Sequence, residues 1–301
     1  MSRVLVTGAS GFVGRHALPL LVACGFDVHA LSRSQSAVTV PGVRWHAADL
    51  LDPASSAGLM RELRVSHWLH LAWVTAPDKY RSSIENVRWV EASLRILRAF
   101  RDHGGERVVM AGTCAEYGRQ RGHCRELDTP AAPQTLYGNC KYALQFLLQA
   151  YCLETGLTGA WGRVFHLYGP GEHPSRLFPT VIGALLKERP ARCTHGGQIR
   201  DFLHVADAAA AFVAILTSSH TGPINISSGQ AVSVRDAVND IAAQLKRPEL
   251  VRFNAVSAPE GDPQVLVGDN TLLRSLGWRP KFDLAGGIAD TIEWWRNETH
   301  Y

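Results

Sequence analysis

With 301 residues, 46% of them hydrophobic and 19% charged, the chain is too apolar to stay disordered and long enough to bury the core of one large or two modest domains. Its formal net charge of +4 comes without a Lys/Arg run or an aromatic-basic stripe, which argues against nucleic-acid binding and suits an anionic small molecule. The longest apolar run, around residues 18–23, is far too short to cross a bilayer, so no membrane span is expected.

The chain opens on a short apolar strand, residues 3–7, followed by Gly8-Ala9-Ser10-Gly11-Phe12-Val13-Gly14 and a helical pattern over 15–24. A glycine turn between a strand and a helix N-terminus makes an anion site, because free backbone N–H groups and the helix dipole face the phosphates. The spacing Gly8-x-x-Gly11-x-x-Gly14 departs from the usual G-x-G-x-x-G dinucleotide fingerprint, and a plain tight turn is the alternative. The expected cofactor contacts here are Gly8, Ser10, Gly11, Phe12, Val13 and Gly14.

A second strand, 27–31, ends at Ser32-Arg33, where an NAD-selective protein carries an acidic residue for the ribose 2'-hydroxyl. No carboxylate stands there, and Arg33 can pair with a 2'-phosphate, so NADP(H) is favoured, with NAD(H) as the alternative. A third strand, 43–50, ends at Asp49 and Leu50; the Asp49 carboxylate suits an adenine amino group and suits a helix cap equally. The fourth strand, 67–72, delivers Leu71 and Ala72, a helix spans 83–101, and a fifth strand, 107–111, leads to Thr113. Strands alternating with helices predict an α/β fold with a doubly wound parallel sheet of the Rossmann kind, whose ligands bind at the carboxyl ends of the strands.

Next come Tyr137 and Lys141, four positions apart ahead of an apolar, Pro-free run over 142–153. On a helix the two share a face, and an ammonium held beside a phenol favours the phenolate. Bringing a phenol from ~10 toward neutrality asks roughly 4 kcal/mol, which one lysine in a dry site, helped by a positive cofactor ring, is expected to supply. Past about residue 165 the alternation relaxes, which predicts a cofactor-binding domain over 1–165 and a smaller substrate domain over 166–301, with the stretch near 200–217 packing back on the first. Helices are expected over 205–216, 234–244 and 286–296, with Trp294 and Trp295 as packing residues. Six cysteines form no Cys-x-x-Cys, and thirteen histidines form no His-x-x-x-His pair. No metal site is expected, and with no secretory leader pattern the thiols are expected reduced and the protein cytoplasmic.

Taken together, the glycine turn, Thr113, Tyr137-x-x-x-Lys141, Arg163-Val164-Phe165-His166-Leu167-Tyr168-Gly169-Pro170, Arg200-Asp201-Phe202-Leu203-His204 and Leu276-Gly277-Trp278 resemble the extended short-chain dehydrogenase/reductase family, in its nucleotide-sugar branch. The resemblance runs from end to end and implies roles. Thr113 would hydrogen-bond the reacting oxygen, Tyr137 exchange its proton, and Lys141 hold the nicotinamide ribose while lowering the phenol's pKa. A homodimer through the helix at 83–101 and the helix after Tyr137 is also implied.

Departures from the family narrow the reaction. The 4,6-dehydratases carry Asp-Glu directly after the catalytic Thr, where this chain has Cys114 and Ala115, so water loss has no proton carriers. The string Thr113-Cys114-Ala115-Glu116-Tyr117-Gly118 is similar to that of NADPH-dependent 4-keto-6-deoxyhexose reductases; a 4-epimerase is the runner-up, a silent dinucleotide sensor a third reading, and a reductase of a non-nucleotide ketone a fourth. His166 stands where epimerases have Asn, and the family's arginine ahead of the Ala258-Pro259-Glu260-Gly261-Asp262 segment is missing. Arg200, assisted by Arg176, is expected on the diphosphate of a nucleotide-sugar substrate, with Cys114, Ala115, His166 and Asp262 as further substrate contacts. Trp89-Val90 stands where Gly-Thr is usual.

Overall fold

The computed structural model describes residues 1–33, 39–74, 77, 79–118, 122–258 and 262–298. Seven strands form one parallel sheet: β1 (Arg3–Thr7), β2 (Asp27–Ser32), β3 (Val43–Ala47), β4 (His67–His70), β5 (Arg107–Thr113), β6 (Thr158–Val164) and β7 (Gly222–Ile226), in the spatial order β7-β6-β5-β4-β1-β2-β3. The order reverses at β1, so the carboxyl ends of β1 and β4 flank the crevice where such sheets take ligands.

Helices cover both faces, and the strands' period of two decides which residue goes where. Val4 and Val6 of β1 face α1 (Gly14–Ala23) and α4 (Val205–Thr217), whereas Leu5 between them faces α2 (Glu85–Asp102) and α3 (Leu136–Thr155). All three are fully buried, which is why β1 reads as a continuous apolar run rather than an alternating one. Leu18 and Leu21 of α1 meet Ala208, Ala211 and Phe212 of α4, while Ile96, Leu97 and Phe100 of α2 share the opposite layer with Leu144 and Leu148 of α3. The α3 helix starts where the Thr135 hydroxyl accepts from the Gly138 N–H at 3.1 Å, and it stops at Gly156, whose φ of +69° ends the helical run.

A separate apolar cluster gathers Tyr168, Phe178, Ile182, Ala237, Ile241, Ile288 and Trp295, and Trp294 meets Trp295 edge-on. Both tryptophans pack, as their sequence context predicts. The predicted helices over 205–216, 234–244 and 286–296 correspond to Val205–Thr217, Val234–Leu245 and Leu284–Glu298. Beyond α4 the chain adds β7 to the large sheet beside β6. On the outer face of α2 and α3, Ile84, Val87, Tyr142, Phe146, Leu147 and Leu153 are exposed.

Candidate active site

The first wall of the site is backbone. Gly8 has φ +76°, and a Cβ there would lie 2.6 Å from the Ala72 nitrogen and 2.7 Å from the Leu71 carbonyl carbon, so the turn sits directly against the end of β4. A Cβ on Gly14 would meet the Gly8 carbonyl oxygen and lie 2.7 Å from the Ala9 Cα. Only glycines permit this closure, which brings the N–H groups of the first turn of α1 into the crevice. Arg15 reinforces the turn from outside, donating to the carbonyls of Gly11 (3.3 Å) and Ser10 (3.2 Å).

At the next strand ends, Ser32 is partly buried and Arg33 exposed. Asp49 accepts from the Leu51 N–H at 2.9 Å through Oδ1, and its own N–H donates to Ser55. The helix-cap alternative for Asp49 is corrected: the cap is Asp52, which accepts from the Ala54 N–H at 2.9 Å, because it is the residue directly preceding the short helix Pro53–Ser56. Leu50 is buried beside it.

Thr113 ends β5 and is held by a carboxylate that the sequence string contained without a role attached. Glu116 is fully buried; its Oε1 accepts from the Thr113 N–H (2.8 Å) and the Trp161 Nε1–H (2.9 Å), and its Oε2 accepts from Arg163 Nε at 2.8 Å. Arg163 in turn donates to Gln145 of α3 at 2.8 Å. Burial raises the Glu116 pKa and Arg163 opposes it.

Tyr137 and Lys141 lie in the first turns of α3, as their spacing predicts, and the Tyr137 N–H donates to the Arg81 carbonyl at 3.1 Å. The Tyr137 side chain lines the same cleft wall as Thr113, near enough for the threonine side chain to favour the phenolate. Among this chain's own residues, burial raises the phenol's pKa and the Thr113 side chain opposes that rise; the expected lowering also called on the cofactor's positive ring. The Lys141 ammonium donates to the Ala111 carbonyl at 2.8 Å and lies 3.6 Å from the centroid of the Trp73 ring. Burial brings the Lys141 pKa down to about 7, against the pull of Glu116.

On the far side of the cleft, Arg200 is buried, pairs with Asp262 at 2.7 Å and donates to the Ile199 carbonyl. Arg176 is half-buried and lies 5.4 Å over the Tyr80 ring. His166 has a buried Nδ1 with no hydrogen-bond partner among the described residues, and burial, with Arg200, Arg81 and Arg176 nearby, draws its pKa down to about 3. Beside Thr113, the Cys114 thiol is buried and pushed up to about 12, chiefly by burial. Residues 259–261 of the segment leading to Asp262 lie outside the described residues.

All the site residues singled out from the sequence line one cleft of about 1230 Å³, from Gly8 to Asp262. Sequence reasoning missed Trp73, Tyr80, Arg81 and Glu172, which line it too. Trp73 follows Ala72 at a strand's carboxyl end, a position that could have marked it. Tyr80 meets the Tyr137 ring edge-on at 4.9 Å, and Arg81 donates to the Tyr80 hydroxyl; nothing in their spacing signals either contact. Glu172 is buried, leaves Oε2 unpartnered among the described residues, and has its pKa raised to about 8 by burial, which Arg176 counters.

A nicotinamide dinucleotide fits these residues: the glycine turn forms a cradle that a Cβ would close, and Lys141 and Tyr137 line the same cleft. Residues 4–227 match the NAD dependent epimerase/dehydratase family. The chain is 29% identical to UDP-glucose 4-epimerase of Azospirillum brasilense, over 98% of this chain and 92% of that protein. Among solved structures, the UDP-glucose 4-epimerase of Thermus thermophilus in complex with NAD superposes with a TM-score of 0.87 at 28% identity, over 99% of this chain and 100% of that one. MoeE5 in complex with UDP-glucuronic acid and NAD superposes with a TM-score of 0.86 at 31% identity, again over 99% and 100%. With the matched segment spanning most of its length, the chain belongs to the NAD-dependent epimerase/dehydratase family, enzymes of the extended short-chain dehydrogenase/reductase type that work with a nicotinamide dinucleotide.

Proposed function

We propose that this enzyme reduces the 4-keto group of a nucleotide-activated 6-deoxy sugar, with NADPH as the preferred cofactor. The observation that carries the reading is the meeting of Tyr137 and Thr113 in one cleft, where burial disfavours the phenolate, so that the phenol rests as a proton donor. Reduction needs a donor for the alkoxide that develops on the carbonyl oxygen, and two hydroxyls aimed at that oxygen stabilise its charge in place. When bound in its reduced form the cofactor supplies the hydride, and its uncharged ring leaves the phenol as it is. Positions 114 and 115 hold a thiol kept neutral by burial and a methyl group, so neither supplies the acid or base that water loss needs.

In this reading residues 1–165 serve the cofactor and 166–301 the substrate, except that α4 and β7 pack on and extend the first domain's sheet. Arg33, exposed at the end of β2 with no carboxylate beside it in sequence, supports recognition of a 2'-phosphate. Arg200, Arg176 and Arg81 around His166 support binding of a diphosphate. The exposed apolar row on α2 and α3, with Ile84, Phe146 and Leu153 at 77%, 65% and 85% exposure, supports a homodimer through that face, to be checked by light scattering.

A second reading, a 4-epimerase that retains NAD, is favoured by the NAD in the complexes of similar structures and by the similarity to UDP-glucose 4-epimerase. The deciding experiment incubates the protein with NADPH or NADH and UDP-, dTDP-, GDP- and CDP-linked 4-keto sugars while following the reduced nicotinamide absorbance. Net cofactor oxidation, faster with NADPH, is expected. Sugar interconversion without net oxidation would establish the epimerase instead.

A further inference from the structure

Lys141 has neighbours that its spacing from Tyr137 does not announce. Its ammonium rests on the Trp73 indole at 3.6 Å from the ring centroid, with the Ala111 carbonyl accepting at 2.8 Å. The indole is itself fixed from two directions. Its Nε1–H donates to Asn86 Oδ1 at 2.7 Å, and the Trp89 ring stacks on it at 5.9 Å between centroids, with 29° between the planes. Asn86, fully buried, also donates through Nδ2 to the carbonyls of Tyr80 (2.6 Å) and Ser83 (2.7 Å), and the Tyr80 ring lies against Tyr137. Trp73 and Tyr80, between β4 and α2, thus place one aromatic ring against each member of the Tyr-Lys pair, and a single asparagine holds the Trp73 ring and the Tyr80 backbone. Trp89, an oddity in the sequence, finds its explanation as the buttress of Trp73.

We propose that Trp73 is a positioning residue for Lys141: its π face holds the ammonium in the orientation from which the lysine serves the cofactor ribose, and Trp89 keeps the indole there. The inference rests on the assignment of Lys141 to the cofactor. Lys141 is 3% exposed as a residue, so its ammonium has lost much of its water, and a ring face attracts a desolvated cation more strongly than a hydrated one. The lysine needs that attraction, because burial has brought its pKa down to about 7 and a neutral amine gains nothing from the ring. The other titratable groups around it are Glu116 after β5, which favours the charge, His70 on β4, which burial keeps neutral near pH 7, and Tyr137 one turn earlier on α3.

The chain has five lysines, so lysine labelled with 13C at Cε gives a spectrum that Lys141→Met assigns. In the protein without cofactor or substrate, the Lys141 ε-methylene protons are expected upfield of the other four, from the indole ring current, and the group should titrate below them. Trp73→Leu should abolish the upfield shift and lower the titration midpoint by about one pH unit, a tenfold change in the protonation equilibrium. Trp73→Phe, which keeps a ring face and controls for folding, should stay near the parent. The alkaline limb of the pH–kcat profile should move down in Trp73→Leu with it. Unshifted ε-protons in the parent, or a folded Trp73→Leu protein whose Lys141 titrates with the parent, would overturn the proposal. A wrong assignment of the reaction would show instead in the turnover assays, with the spectra unaffected.

Discussion

The two ends of the cleft are built from different materials. At the glycine turn the recognising atoms are backbone, packed so closely that a single added Cβ on Gly8 or Gly14 meets main chain. Across the cleft they are the tips of long side chains, Arg81, Arg176, Arg200 and Asp262, with Arg200 paired to Asp262. Main chain cannot be re-aimed by substitution, whereas guanidinium and carboxyl groups can be exchanged one at a time. The first end therefore suits a cofactor common to many reactions, and the second suits a substrate that changes between relatives.

This contrast predicts a ranking of effects. Gly14→Val should be the most damaging change, removing measurable cofactor binding in a calorimetric titration; binding within a few-fold of the parent would mean the turn has room to spare. Tyr137→Phe, at the boundary between the two ends, should lower kcat by about 10²–10⁴ while the cofactor Kd stays nearly constant, since general-acid catalysis contributes on that scale. Arg81→Ala should raise the KM for the sugar nucleotide by about 10-fold with little change in kcat, as expected for loss of one charge-assisted hydrogen bond. An unchanged KM would leave the anionic substrate to Arg176 and Arg200. The mildest effect concerns Glu172, whose carboxyl is raised to about 8 and is therefore neutral below that pH and anionic above it. The substrate KM should rise about 2- to 3-fold as the pH passes through 8, because an anionic Glu172 offsets the Arg176 charge expected to hold the diphosphate, and Glu172→Gln should flatten that rise.

What the sequence revealed follows the range of the contacts involved. Gly8 and Gly14, Thr113 at the end of β5, and Tyr137 and Lys141 one turn apart are legible because strand, turn and helix periodicity act over a few residues. Trp73, Tyr80 and Arg81 are not: their partners Lys141, Tyr137 and Asp262 lie far along the chain, and only the closed sheet brings them near. The phenol's acidity escapes the sequence for a related reason. Spacing reveals that a lysine shares a face with the tyrosine, but neither the extent of burial nor the direction in which the ammonium turns. Asp49 and Asp52 show the finer limit, since two carboxylates three residues apart compete for one cap and only the backbone geometry decides.

The buried pair of Glu116 and Arg163 has one more implication. Because the carboxylate grips the Thr113 amide while the guanidinium grips Gln145 of α3, the distance between the two reactive hydroxyls is set by charges that dissolved ions do not reach. At the open end, Arg81 is exposed and Arg176 only half-buried. Ionic strength should thus loosen the hold on substrate while the turnover of bound molecules stays the same, so that salt alone separates capture from chemistry in this enzyme.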